Sequence, residues 1–241
     1  ILDWLLDPLQ FAFMQRAMLA IVLIGLLGGV MGAYVITRGM SFLGDALAHS
    51  VLPGVAFMFI RGGTTQGSLL LGGMVAAVLS ALGVGFLTRG RRLQEDTAIG
   101  IVFAGTMALG IGMISSTGNY AVDLTHILIG NVMAVGWNDL ALMLGIGLVV
   151  MAIVVLLYKE LLVVSFDPIL AQTLRLPNEG LRLLVLVLLA VTIVIGVQAV
   201  GIALIAALLV TPAATARLLT TRLHHMMILS SGISALSGAL G

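Results

Sequence analysis

Residues 17–36 read AMLAIVLIGLLGGVMGAYVI, and residues 183–200 read LLVLVLLAVTIVIGVQAV. Neither run contains a charged residue, and each is about 20 residues long. At about 1.5 Å of rise per residue, a helix of this length crosses the hydrocarbon core of a bilayer, which is about 30 Å thick. Strands of a membrane barrel would instead alternate apolar and polar residues. These runs therefore predict membrane-spanning α-helices.

The composition of the whole chain extends this prediction. Of 241 residues, 61% are hydrophobic and 9% are charged, whereas soluble domains average about 45–50% apolar and about 25% charged residues. We therefore expect an all-α, polytopic integral membrane bundle that forms one domain over residues 1–241. The net charge of +1 offers no basic surface for nucleic acid, and the absence of cysteine excludes disulfide and thiolate chemistry.

Eight apolar runs predict the membrane spans. A shorter apolar piece at 126–135 cannot cross alone, so we expect a re-entrant or half-length helix there. Gly196 and Gly201 mark a tight bend between the sixth and seventh runs. Because the chain begins at Ile1 and its last run stops at Gly241, we expect it to be cut at both ends. The predicted spans are 17–36, 41–60, 68–87, 97–115, 138–158, 183–199, 200–216 and 226–241.

The distribution of basic residues predicts the orientation, since arginine and lysine collect in cytoplasmic loops. If the loop at 88–96 is cytoplasmic, alternation of the spans places all of the 11 basic residues except Arg16 and Arg61 inside. The N-terminus then lies outside. This count requires that residues 126–135 do not cross.

Glycines four residues apart mark close helix packing in the first span. Gly25 and Gly29 form one such pair, and Gly28 and Gly32 form another. This spacing lets two helix backbones approach. The partner is either another helix of the same chain or a second subunit.

The second span carries two ionisable residues at membrane depth. Asp45 and His49 are four residues apart and share a helix face. Pro53 lacks the N–H that would bond the carbonyl of His49. Carboxylate and imidazole ligands suit manganese, zinc or ferrous iron, and ionisable groups inside a membrane usually line a pathway or pair with each other. The pair is therefore interpreted as a metal or proton site, or as a hydrogen bond that tethers two helices.

A second aspartate–histidine pair precedes the short apolar piece. Asp123 suits the N-cap of that piece, and His126 follows one turn later. Either these residues are a cap and a surface histidine, or they form an auxiliary site for metal entry.

The predicted cytoplasmic loop at 159–182 contains a short helix. Asp167 suits its N-cap, Pro168 suits its first position, and Pro177 limits its end. The resulting helix, 168–175, has Leu170 and Leu174 on one face. It either lies on the membrane surface or docks on a cytoplasmic partner.

Several motifs of soluble enzymes are absent from the sequence. The only lysine, Lys159, precedes Glu160, so there is no phosphate-binding loop of the G-x-x-x-x-G-K-[ST] type and we expect no ATP hydrolysis by this chain. Neither H-E-x-x-H nor G-x-S-x-G occurs, which makes an intramembrane hydrolase a poor candidate.

Five sequence blocks, in order along nearly the whole chain, closely resemble the bacterial manganese/zinc/iron ABC-importer permeases. The motif HSVLPG in the first block resembles the manganese and iron members more than the zinc members. The blocks are RGMSFLGDALAHSVLPGVA at 38–56, EDTAIGIVFA at 95–104, DLTHILIGN at 123–131, FDPILA at 166–171 and ALLVTPAATA at 207–216.

The resemblance implies a function and a set of partners. It implies a homodimeric permease in the bacterial cytoplasmic membrane, two ATP-binding subunits inside, and an extracytoplasmic protein that delivers the metal. It also implies that Asp45 and His49 contact the transported ion, and that the helix after Asp167 is the coupling helix. No cofactor is expected to be permanently bound. The residues alone also allow an alternative function, a self-sufficient secondary metal transporter or channel.

Overall fold

The computed structural model describes residues 11–63, 65–91, 93–116, 130 and 135–240, and all regular structure within these ranges is helical. This confirms the predicted all-α class. In these ranges, one 3-10 turn, Arg89–Arg91, accompanies eleven α-helices. The helices are α1 Ala12–Thr37, α2 Leu43–His49, α3 Leu52–Ile60, α4 Gln66–Leu87, α5 Glu95–Ser115, α6 Trp137–Leu156, α7 Tyr158–Phe166, α8 Pro168–Thr173, α9 Asn178–Val200, α10 Ile202–Leu219 and α11 Leu223–Leu240.

Seven segments of the described chain are long and apolar enough to cross a membrane. They coincide with the first seven predicted spans, and α2 and α3 together form the second one, Leu43–Ile60. The eighth prediction, 226–241, is confirmed as helix α11 but is not among these seven. Two histidines and several serines make α11 less apolar than the other long helices.

Two predicted segments differ from the structure. The span 41–60 is interrupted by a turn at Ser50 and Val51, where Pro53 cannot supply the N–H that would continue the helix. The predicted loop at 159–182 contains more helix than expected, because helix α7 occupies its first part. Leu161 and Val164, three residues apart, are buried and hold α7 against the bundle.

The glycine spacing of α1 serves packing inside the chain. A Cβ at Gly29 would lie against the backbone of Ser231 in α11, and a Cβ at Gly32 would lie against the carbonyl oxygen of Leu209 in α10. Gly25 likewise faces the backbone of Ala235. These contacts confirm intrachain packing as the role of the glycines.

Contacts between helices show which ends lie together. Gly147 of α6 lies against Leu27 of α1, and Ser165 of α7 hydrogen-bonds Arg38 just after α1. Helices α6 and α1 therefore run in the same direction. Helix α5 starts at the end that holds Arg38 and so finishes at the opposite end, where α6 begins. Ser116 and Trp137 consequently lie at the same end, as the prediction of a non-crossing piece at 126–135 requires. That piece itself lies outside the described residues, apart from Gly130 and Val135.

Helices α9 and α10 form a hairpin with one residue between them. Gly201 is that residue, and its φ of 82° is in the left-handed region that favours glycine. A Cβ at Gly196 would contact Ile205 across the hairpin. The predicted bend near Gly196 and Gly201 is thus confirmed.

Candidate metal centre

Helix α2 presents Asp45 and His49 on one face, as their spacing predicts. His49 Nε2 and Asp45 Oδ1 are 3.7 Å apart, and the two side chains are 27% and 40% exposed, respectively. This separation is too long for a hydrogen bond. Because both residues belong to the same helix, the pair does not join two helices. The face is therefore partly open, with two ligand-type groups directed to the same region.

Helix α5 contacts both His49 and the residue that follows it. The ring of Phe103 in α5 meets the imidazole edge to face at a centroid distance of 5.6 Å. Ser50 follows His49 in the chain, and its Oγ lies 3.1 Å from Oγ1 of Thr106, which belongs to α5 like Phe103. The Nδ1 atom of His49 is buried without a hydrogen-bond partner in the described part of the chain. Helix α5 therefore packs against the imidazole without forming a hydrogen bond to its buried Nδ1 atom.

The described residues bring no third ligand to this face. Among them, no group of three or more His, Cys, Asp or Glu side chains could hold a metal ion. Asp123 and His126, the predicted auxiliary pair, lie outside the described residues. If this face binds a metal ion, the described part of one protomer offers two side-chain ligands, and a fuller coordination shell requires water, backbone oxygens or a second copy of the chain.

The short helix after Asp167 begins as predicted and ends earlier. Asp167 Oδ1 accepts hydrogen bonds from the N–H groups of Ile169 at 3.1 Å and Leu170 at 2.9 Å, so it is the N-cap. Helix α8 ends at Thr173, not at residue 175, and Leu174 is its C-cap. The helix stops because Arg175 adopts a left-handed φ of 54° and the N–H of Leu176 returns to the carbonyl of Ala171.

Helix α8 and its C-cap expose three large apolar side chains. Leu170 is 44% exposed and Leu174 is 55% exposed, as the prediction of an apolar face requires. Ile169, which the sequence interpretation did not single out, is more exposed than either at 78%. Ala171 is fully buried and anchors α8 on the bundle. We refer to Ile169, Leu170 and Leu174 as the docking ridge.

A polar cavity of about 900 Å³ separates α8 from the ends of α1, α4 and α9. Arg38 and Arg182 line it, together with the carboxylates of Glu95 and Glu179. Arg182 pairs with Glu95 at 3.4 Å and with Glu179 at 3.3 Å. Burial lowers the pKa of Arg38 from its ordinary value, and the charge of Glu95 opposes that shift. The sequence interpretation used these arginines only to assign an orientation and missed their network.

Known proteins resemble this chain over almost its full length. Residues 10–241 match the ABC 3 transport family. The manganese transport system membrane protein MntC of Halalkalibacterium halodurans is 42% identical over 233 residues, which cover 97% of this chain and 78% of the relative. A probable iron transport system membrane protein of Haemophilus influenzae is 36% identical over 239 residues, covering 99% and 86% of the two chains.

A solved structure shares the fold. A chain of PsaBC from Streptococcus pneumoniae, determined in complex with Fab, superposes with a TM-score of 0.83 at 37% identity. The match covers 98% of this chain and 84% of that chain. The chain therefore belongs to the ABC 3 transport family and is a multi-pass permease of a bacterial ABC metal importer in the plasma membrane.

Proposed function

We propose that this permease imports manganese, and that Asp45 and His49 contact the ion on its way through the membrane. The observation that carries the proposal is the geometry of this pair. The two side chains share one helix face, lie 3.7 Å apart without a hydrogen bond, and remain partly exposed. Asp45 offsets the charge of a divalent cation at membrane depth, and His49 favours transition metals over calcium and magnesium.

Manganese is preferred to iron and zinc for two reasons. The relatives named for manganese transport share more identity with this chain, up to 42%, than the relative named for iron transport at 36%. The mixed oxygen and nitrogen ligand set also suits Mn²⁺, whose affinity for most sites is lower than that of Zn²⁺. A weak site fits a pathway, because a transported ion must leave as readily as it enters.

A second copy of the chain completes the site in this proposal. One protomer supplies two ligands, and a two-fold axis beside α2 would bring two Asp45–His49 pairs to one pathway. An extracytoplasmic metal-binding protein delivers the ion at the outer end. Asp123 and His126 are proposed as secondary contacts during that entry.

Energy comes from separate cytoplasmic ATP-binding subunits, which we propose to dock on α8. The chain lacks a phosphate-binding loop. Helix α8 supplies what a docking element needs, namely a rigid cap at Asp167 and an exposed docking ridge. A helix face of this kind inserts its apolar residues into a groove of the partner. Membership in an ABC family disfavours the alternative of a self-sufficient secondary transporter.

Uptake of radiolabelled manganese by the assembled transporter tests the proposed site. Asp45→Asn keeps the size of the side chain but removes its charge, so uptake should be abolished. His49→Ala should reduce uptake and weaken discrimination against calcium, since a nitrogen ligand is lost. Asp139→Asn and His224→Ala serve as matched controls outside the site and should retain uptake. Near-normal uptake by both site variants would contradict the proposal.

A further inference from the structure

An apolar groove lies on the protomer surface between α3, α4 and α5. It encloses about 630 Å³, a volume typical of binding sites for small molecules. Its two hydroxyls are already satisfied, because Ser80 donates to the carbonyl of Ala76 at 2.9 Å and Thr106 donates to that of Val102 at 2.8 Å. The groove thus offers its occupant an almost purely apolar surface. Six of its lining residues are Phe57, Met58, Val75, Leu79, Val102 and Leu109.

The groove and the metal pair contact neighbouring parts of the surface of α5. Thr106 lines the groove and lies beside Ser50. Phe103, which contacts the imidazole of His49, is not part of the lining. The groove therefore borders the part of α5 that contacts His49, but the imidazole itself is not part of the lining.

The length of the groove matches one leaflet of a bilayer. Along α5 its lining extends from Val102 to Met113, which spans about 16 Å at about 1.5 Å per residue. Half of a hydrocarbon core about 30 Å thick is about 15 Å. Met113 lies near the end of α5 that the positive-inside rule places outside. An acyl chain of the outer leaflet would therefore extend along the groove.

The guanidinium of Arg61 places a positive charge at the outer end of the groove. Arg61 follows α3, and its guanidinium carbon lies 5.0 Å from the ring centroid of Phe57, a lining residue. Arg61 is exposed, and no carboxylate of the described chain forms an ion pair with it. Because it lies at the end of a membrane helix, Arg61 is at the depth of the lipid headgroups.

We propose that the groove binds an anionic phospholipid of the outer leaflet, with one acyl chain between α3, α4 and α5 and its phosphate on Arg61. Apolar burial along the groove holds the chain, and charge complementarity at Arg61 selects the headgroup.

Lipid binding to the assembled transporter, measured by native mass spectrometry, tests this proposal. Phosphatidylglycerol and phosphatidylcholine with the same acyl chains are the probes. Arg61→Gln should lower the affinity for phosphatidylglycerol by about fivefold and remove the preference over phosphatidylcholine, because one basic residue at an anionic surface contributes about this much. Arg61→Lys should retain the preference. Arg16→Gln, a change at the other predicted outer basic residue, should leave it unaltered.

A second variant tests the acyl-chain part of the site. A Cβ at Gly105, within the groove, meets no atom within 4 Å, so Gly105→Leu fills the groove without displacing backbone. It should weaken binding of both lipids. Gly145→Leu, at an equally open glycine of α6, should not. Unchanged binding in Gly105→Leu, or equal loss in Gly145→Leu, would overturn the proposal. So would a disulfide between two copies of Leu79→Cys, which would show that the groove is a subunit interface.

Discussion

Arg38 donates two hydrogen bonds to Ser165 Oγ, from Nε and Nη2, each at 3.3 Å. Arg38 precedes α2, which carries Asp45 and His49, whereas Ser165 belongs to α7, which continues directly into Asp167 and α8. The contact therefore connects the segment before α8, the proposed docking helix for the ATPase, to the segment before α2, which carries the proposed metal ligands. Ser165 in turn donates to the carbonyl of Leu161 at 2.7 Å, which fixes the direction of its hydroxyl.

Removing the Ser165 hydroxyl should loosen this connection. A hydrogen bond to a charged group contributes about 1.5–3 kcal/mol, so Ser165→Ala should reduce manganese uptake by roughly tenfold or more. Manganese binding to the assembled transporter should be unchanged, because Asp45 and His49 remain. Ser80→Ala is the control, since Ser80 donates to a carbonyl of its own helix and has no hydrogen bond to another helix among the residues that the structure describes. Equal uptake by both variants would show that the contact is not used in transport.

The docking ridge should be sensitive to charge. Ile169→Glu and Leu170→Glu each place a carboxylate where an apolar groove of the ATPase is expected, and burying an unpaired charge is costly. Both variants should lose coupling between ATP hydrolysis and manganese uptake, and Ile169→Glu should be the more severe because Ile169 is more exposed. Manganese binding should persist. Thr173→Glu adds the same charge to an exposed polar position of α8, and uptake should survive it. Normal uptake by both ridge variants would remove the docking role.

The sequence predicts the helices well, because membrane spans depend on local composition. The runs at 17–36 and 183–199 lie within α1 and α9, and the spacing of Asp45 and His49 correctly places both on one face. The sequence could not decide whether these residues pair across helices, since that requires knowing their partners. The 3.7 Å separation of the two side chains and their partial exposure come from the structure.

Contacts between distant segments could not be predicted. The hydrogen bonds from Arg38 to Ser165 join residues 127 positions apart, and neither residue stands out from its neighbours. Helix α7 was missed because Lys159 and Glu160 resemble the start of a loop, whereas the burial of Leu161 depends on where α9 packs. Such features follow from the arrangement of helices, on which a single sequence carries little information.

The orientation of the chain predicts the labelling of cysteines at the two ends of α5. Gln94 is the N-cap and Ser116 the C-cap of this helix, and the native chain has no cysteine. A membrane-impermeant maleimide should label Ser116→Cys from outside, and Gln94→Cys only after permeabilisation. Trp137→Cys should also react from outside, because residues 117–136 begin and end on the same side. External labelling of Gln94→Cys would invert the orientation, and protection of Trp137→Cys would indicate a further crossing.

One carbonyl of α10 lacks its helical donor and accepts a hydrogen bond from a side chain of α11 instead. Pro212 has no N–H, so the carbonyl of Leu208, four residues earlier, lacks its helical donor. Ser234 Oγ donates to that carbonyl at 2.9 Å, and Ser234 is fully buried. In a membrane no water replaces such a donor, and hydrogen bonds between membrane helices contribute about 0.6–2 kcal/mol.

Ser234→Ala should therefore lower the free energy of unfolding by about 0.6–2 kcal/mol, measured by denaturant unfolding of the purified protein in detergent. Ser230→Ala is the matched control, because the Ser230 hydroxyl is buried without a hydrogen-bond partner in the described residues, and it should cost little. In a Pro212→Ala background the backbone N–H is restored, so the effect of Ser234→Ala should shrink, which a double-mutant cycle measures directly. If Ser234→Ala lowered the free energy of unfolding equally in both backgrounds, the hydroxyl would stabilise the protein by some contact other than its hydrogen bond to the Leu208 carbonyl.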